Sequence, residues 1–217
     1  MRSKHKPGQR CRQRPWLHHS NREAAQRQEI VCETARIIAD EGLLDYQKAK
    51  NKAAHRLGYR GLLPKNKDIE SALITHLNIY HTSAIKQRRI ILQQLAQDFM
   101  QLLSKFNPRL CGDALSGNVT PFSPIQIHIN ADPPEQINPF LDKHSIPYTV
   151  KEKVVNFGSG KVQEIPIYSF QNDETKIEIW ALSDVLFKCP PICPIHNKLM
   201  PRASLAKFKK MLNPAKV

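Results

Sequence analysis

Apolar residues fall at helical spacing through the first half of the chain and at strand spacing through most of the second. From about Ser20 or Asn21 to Ala39, the residues Ile30, Val31, Thr34, Ile37 and Ile38 gather on one side of a helix, with Gly42 just past its end. Asp45 stands where a side-chain oxygen caps a second helix, Tyr46 to Leu57, and Gly58 closes it. The small Ala49, Ala53 and Ala54 on that helix suit close packing against a neighbour. A third helix, from about Lys67 to His81, carries Ile69, Leu73, Leu77 and Tyr80 at helical intervals. A fourth, from about Ala84 to Phe106, carries Ile85, Leu92, Leu95, Phe99, Leu102, Leu103 and Phe106, and stops at Asn107-Pro108 because proline cannot continue it. Together these four predict a helical bundle around a leucine-rich core.

The period then changes. Ile125, Ile127 and Ile129 alternate with Gln126, His128 and Asn130, which is the pattern of a strand with one buried and one polar face. Ahead of it, Gly112 and Gly117 mark a tight passage out of an earlier strand. Pro133-Pro134 opens a helix through about Lys143, and Pro147 to Val155, Val162 to Phe170 and Thr175 to Leu182 read as three strands. Short turns at Gly158-Ser159-Gly160 and Gln171 to Glu174 join them, so antiparallel pairing is expected. Asp184 to Val217 reads as a proline-rich loop followed by a short basic helix from about Ala203 to Leu212. The pattern predicts an α+β protein in four parts: a basic arm over 1–20, a helical domain over 21–107, a mixed sheet with helices over 108–184, and the loop and basic helix over 185–217. A chain of 217 residues has enough material for a real core.

Charge adds a candidate partner. Lys and Arg total 33 against 19 Asp and Glu, a formal net charge of +14, well beyond what solubility requires. A polyanion is implied, nucleic acid first and an anionic membrane surface second. The first 21 residues hold Arg2, Lys4, Lys6, Arg10, Arg12 and Arg14 and no acid. They lack the apolar face of an amphipathic presequence and read as a disordered basic arm, with Arg10, Arg12 and Arg14 as nucleic-acid contacts. Lys48, Lys50, Lys52 and Arg56 make the outer surface of the second helix basic. Lys48, Lys52 and Arg56 are therefore either part of a DNA-reading helix-turn-helix or a solvated helix face. The five cysteines, Cys11, Cys32, Cys111, Cys189 and Cys193, are scattered and odd in number, and no signal peptide precedes them. Reduced thiols in the cytoplasm are expected. No apolar run is long enough for a membrane span.

The order strand, Gly112-Asp113, Leu115-Ser116-Gly117, then Ser123-Pro124-Ile125-Gln126-Ile127 resembles the signature of the nucleotidyltransferase superfamily, the polymerase-beta-like fold. In that family a strand delivers Gly-Ser, a second glycine follows five residues after the first, and Ser-Asp-hydrophobic-Asp opens the next strand. Gly112, Gly117, Ser123 and the Ile125/Ile127 frame match that spacing over roughly Arg109 to Leu182, and the whole chain is similar to bacterial proteins that join a helical front to this motif. The resemblance implies a nucleotide-binding loop at Gly112, Ser116, Gly117, Ser123 and Gln126. It also implies a third carboxylate at Glu178 and chemistry in which paired carboxylates hold two Mg²⁺ ions.

The departures qualify what it implies. Pro124 and Gln126 stand where the paired carboxylates belong; proline has no ligand atom and a neutral amide is a poor Mg²⁺ ligand. Asp113 stands where a serine would touch phosphate. The resemblance therefore points to a nucleotidyltransferase-like protein that binds a nucleotide or nucleic acid without the usual catalysis. One alternative is an atypical nucleotidyl or phosphoryl transferase using Glu178 and Asp113 with Mg²⁺. Another is a protein-interaction module with an incidental basic arm, for which a protein is the partner.

Most other candidate sites lie outside this segment. Cys189, Cys193 and His196 lie on one rigid loop and offer two thiolates and an imidazole, but zinc wants a fourth ligand and Cys111 would have to come from elsewhere in the fold. His76 and His81 are at the wrong interval to share a metal on one helix face. Ser116 lacks a nucleophile elbow, and the Gly-Ser-Gly at 158–160 lacks the lysine and helix of a phosphate loop. Arg202, Lys207, Lys209 and Lys210 either extend a basic surface or solvate a helix end.

Overall fold

A computed structural model describes residues 16–80, 82–158 and 160–212. Most of the expected arm, including Arg10, Arg12 and Arg14, lies outside the described residues, as do His81 and Ser159. Four helices come first: α1 (Trp16–Glu41), α2 (Tyr46–Leu57), α3 (Asn66–Tyr80) and α4 (Thr82–Leu102). Helix α1 starts earlier than expected, so Ser20 and Asn21 lie inside it rather than capping it. The caps of α2 are the expected ones. Asp45 Oδ1 accepts from the backbone N–H groups of Gln47 and Lys48 at 2.9 and 3.0 Å, and Gly58 takes the left-handed conformation with φ 61°.

Helices α1 to α3 share a core of Ile30, Ile37, Ile38, Ala49, Ala53, Ile69, Leu73 and Leu77. Thr34, on the buried stripe of α1, satisfies its hydroxyl by donating to the Ile30 carbonyl at 2.6 Å. Helix α4 has a different partner. Its buried face, Leu92, Ala96 and Met100, packs on the sheet rather than into that core. Sequence periodicity places a helix there and cannot say which neighbour covers it.

After a 3₁₀ turn at Ser104–Phe106 come β1 (Arg109–Cys111), the short helix α5 (Asp113–Ser116) and β2 (Ile125–Asn130). The helix expected after Pro133 is a 3₁₀ turn, Pro134–Ile137, followed by α6 (Asn138–Lys143). Then follow β3 (Thr149–Asn156), β4 (Val162–Asn172), β5 (Thr175–Leu182), α7 (Asp184–Lys188) and α8 (Leu205–Leu212). The strands form one mixed sheet in the order β1-β2-β5-β4-β3, with β2 and β5 parallel and every other pair antiparallel. The outer edge of β1 is closed by Ala203, which exchanges two 2.9 Å backbone hydrogen bonds with Leu110.

The sheet has two unlike faces. Ile125, Ile127 and Ile129, with Ile177, Ile179, Tyr168 and Phe170, form the main core against α4, α6 and α8, where Phe208 is fully buried. The opposite face carries Gln126, His128, Glu178 and Trp180, and only its far end is covered, by Phe187 of α7 in a small cluster with Val155, Phe157, Ile165 and Leu182. Among the described residues no helix is long and apolar enough to cross a membrane.

Candidate functional site

The site is set by the turn out of β1. Gly112 sits at φ 68°, ψ −153°, a region essentially confined to glycine. A Cβ there would come within 2.5 Å of Gln126 Oε1, so the residue is glycine for two reasons, conformation and space. In the register of the sheet, Gln126 stands opposite Cys111 on one side and Glu178 on the other. Gln126 Nε2 donates to Glu178 Oε2 at 3.1 Å, and Lys176 Nζ donates to Glu178 Oε1 at 2.6 Å. Gly112, Gln126 and Glu178, three residues singled out from the sequence, are thus brought together, and Lys176 joins them.

Electrostatics fixes the state of that carboxylate. Burial by itself pushes the Glu178 pKa up, but the hydrogen bond and charge of Lys176, the Gln126 amide and the nearby Lys153 outweigh it and leave the pKa below the ordinary value. Glu178 is therefore an anion held between two cations and an amide. The excess of positive charge around it faces the less covered side of the sheet.

Asp113 and Ser123 do something else. Ser123 Oγ donates to Asp113 Oδ2 at 2.5 Å and accepts from the Thr120 N–H at 2.9 Å, while Thr120 Oγ1 accepts from the Phe122 N–H at 3.2 Å. Ser123 is fully buried. Asp113 is half-buried as a residue, yet its carboxyl is enclosed. That burial pushes its pKa up, the Ser123 hydrogen bond opposes the shift, and Glu70 adds to it. This network locks the connection between α5 and β2 from within. It is not joined to Glu178 by any hydrogen bond, so the pair expected to carry atypical catalysis is divided between two environments.

The rest of the glycine segment is also engaged internally. Ser116 Oγ accepts from the Asn118 N–H at 3.3 Å at the end of α5. At Gly117, φ 83°, a Cβ would fall 1.8 Å from Arg89 Nη2, so the Arg89 guanidinium from α4 lies directly on this glycine. Neither Arg89 nor Lys176 was singled out from the sequence. Lys176 carried a usable signal, since it lies two residues before Glu178 on a strand and so shares its face; nothing near Gly117 pointed to Arg89.

Beside Glu178, His128 is fully buried and stacks on Trp180 with ring centroids 4.9 Å apart. Burial, with the cations Arg202 and Lys153 nearby, pushes its pKa down to about 3, so the ring is neutral near pH 7. Lys153 Nζ sits 4.7 Å from the Trp180 ring centroid. Cys111, also fully buried, has its thiol pushed well above the usual range, chiefly by burial, and is no nucleophile.

The remaining candidates are placed apart. Cys193 opens a tight hairpin, with its N–H donating to the Lys198 carbonyl at 2.7 Å. Cys189 is exposed, and His196 pairs with Glu70 at 3.3 Å. Among the described residues no three His, Cys, Asp or Glu side chains converge as a metal site. The hairpin instead clasps α3, where Asn66 Nδ2 also donates to the Pro194 carbonyl at 3.0 Å. On α2, Lys52 and Arg56 turn to Glu41 at 2.6 and 2.5 Å, and Arg56 also reaches Glu33 at 3.2 Å. Lys50, expected on the basic surface, is buried and donates to the Pro64 carbonyl at 3.4 Å. Lys48 remains exposed. His76 rests against Asp40 at 3.3 Å.

Hollows on the surface of the described residues include two of note. The larger, of about 660 Å³, lies between α4 and the β4–β5 turn and is walled by Ile90, Ile91, Leu95 and Arg88. Arg88 is committed there to Thr175 Oγ1 at 2.9 Å, which ties α4 to the sheet. The smaller, of about 370 Å³, includes Lys176 in its wall. Compared with known protein families, curated proteins and solved structures, the chain gave no match.

Proposed function

We propose that this chain is a nucleotidyltransferase-like protein that binds a nucleotide or a nucleic acid through its phosphates and does not carry out metal-dependent nucleotidyl transfer. The observation that carries the reading is the Gly112–Gln126–Glu178–Lys176 constellation. Supporting it are the glycine-only conformation of Gly112, the pairing of Gln126 with Glu178 across two parallel strands, and the lysine that meets that carboxylate.

The resemblance also implies Mg²⁺, and the residues present do not suit it. Pro124 is buried and offers no ligand atom, Gln126 is neutral, and both oxygens of Glu178 already accept hydrogen bonds from Gln126 and Lys176. A Mg²⁺ ion needs a site rich in charged oxygen. What remains is a lysine pair, Lys176 and Lys153, around one carboxylate, a net positive arrangement suited to phosphate. The free Cys32, Cys111, Cys189 and Cys193 agree with a reducing compartment such as the cytoplasm.

The test is calorimetry and thermal shift with ATP, GTP, CTP and UTP, each with and without Mg²⁺, on the wild type and on Lys176→Ala. Binding that does not need Mg²⁺ and weakens about tenfold in Lys176→Ala is the expected result. Magnesium-dependent turnover abolished by Glu178→Gln would instead favour the atypical transferase. Absence of any nucleotide or nucleic-acid binding at low salt, with a stoichiometric protein partner recovered, would favour an interaction module.

A further inference from the structure

The register of the sheet sorts its charges by sign. Lys151 pairs with Ile167, Ile167 with Trp180, Trp180 with His128 and His128 with Arg109, so one row of side chains crosses all five strands. Trp180 is two residues from Glu178, which puts the row on the face that carries the carboxylate. Lys153 and Lys176 share that face by the same period, and Lys153 reaches inward over the Trp180 ring. Glu152, between the two β3 lysines, and Glu164, opposite Val154, point to the other face. The strands thus place Arg109, Lys151, Lys153 and Lys176 together, with Glu178 as the only strand acid among them. Lys151, Lys153 and Lys176 are exposed. On the β1 side Arg109 and Arg202 flank the Phe187 ring at 5.8 and 5.4 Å, and the buried Nη1 of Arg202 has no hydrogen-bond partner.

We infer that this face is the track of a single-stranded nucleic acid. The inference rests on the phosphate reading of Lys176 and narrows the ligand to a polynucleotide. The row from Lys151 to Arg109 spans four strand spacings, roughly 19 Å. A chain of phosphates covers that width, whereas a mononucleotide held at Lys176 does not reach both edges. The rings of this face, His128, Trp180 and Phe187, are buried, so its contacts go to phosphates rather than to stacked bases and little sequence preference is expected. Between the lysines, Thr149, Ser169 and Gln171 present hydroxyl and amide groups on the same face. These meet sugar and base edges that a single strand leaves open and a duplex turns largely inward. A sheet face also lacks the projecting element that enters a duplex groove.

The full chain is titrated, without Mg²⁺ and over a range of salt, with an oligothymidylate of about twelve nucleotides, with a duplex of the same length and with ATP. Wild type binds the single strand about tenfold or more tightly than either of the others. Lys151→Ala weakens single-strand binding about fivefold and lowers its salt slope by about 0.7, with ATP affinity unchanged. Glu152→Ala, one residue away on the other face, leaves single-strand and ATP affinity within about twofold of wild type. Both side chains are exposed on an edge strand, and unchanged melting temperatures verify that neither variant alters the fold. A single strand bound no more tightly than ATP or the duplex, a salt slope indifferent to Lys151, or a Glu152→Ala gain as large as the Lys151→Ala loss overturns the track. If ATP binding still depends on Lys176, the phosphate reading stands without it. Failure of wild type to bind any of the three ligands overturns the phosphate reading, and the track with it.

Discussion

Asp113 follows Gly112 in the chain and Glu178 meets Gln126, the residue that crowds Gly112, and their surroundings have made the two carboxylates opposites. Asp113 is turned inward to Ser123, enclosed beneath the helical unit, and its pKa is raised chiefly by burial. Glu178 is turned toward the less covered face, where burial is outweighed by Lys176, Gln126 and Lys153, and its pKa is lowered. One carboxylate fastens the fold and the other is kept charged. Residue type alone does not separate these roles; the identity of the donors around each oxygen does.

The two regions share Gly112, and a change there has the largest effect. Gly112→Ala forces a side chain into a conformation reserved for glycine and against Gln126 Oε1, so a loss on the order of 3 kcal/mol is expected in urea unfolding, together with loss of ligand binding. Ser123→Ala tests the inward region alone. It leaves the enclosed Asp113 carboxyl without its donor, at a cost of about 2 kcal/mol, and binding of ATP at saturating stability is unchanged. Glu178→Gln tests the other region, and because Lys176 is half exposed its stability change stays within about 1 kcal/mol.

The pH dependence of the two carboxylates has opposite sign. A raised folded pKa at Asp113 gives stability that is present below 3.8 and lost as pH rises through the folded value. A lowered folded pKa at Glu178 gives stability present above 4.5 and lost as pH falls through the folded value. Measured from pH 3 upward, the stability of wild type relative to Asp113→Asn therefore falls with pH, and relative to Glu178→Gln it rises. Equal slopes would dissolve the distinction. The smallest effect is expected at Arg56, whose charge is already spent on Glu41 and Glu33; Arg56→Ala leaves the salt dependence of nucleic-acid binding unchanged.

Much of this was legible along the chain. The Ile125, Ile127 and Ile129 alternation gave the strand and its buried face, Asp45 and Gly58 gave both ends of α2, and Thr175 to Leu182 coincides with β5. Glu178 is singled out only through the resemblance, and in the sheet it is the β5 partner of Gln126. What was not legible depends on contacts distant in sequence. Asp113 is enclosed beside Tyr46 and Glu70 of α2 and α3, and its own neighbours in sequence do not reveal that. The periodicity of α4 foretold a buried stripe but not that the sheet would cover it. The basic surface of α2 looked free because Glu33 and Glu41 lie on the preceding helix. The cationic face of the sheet is assembled from β1, β3 and β5 and has no contiguous signature.

Calorimetric titration of the full chain with ATP in the absence of Mg²⁺, for wild type and Lys176→Ala side by side, tests the central claim most directly. Wild type is expected to bind without the metal, and Lys176→Ala to bind about tenfold more weakly at nearly unchanged stability. Binding that appears only with Mg²⁺, or an affinity indifferent to Lys176, would contradict it.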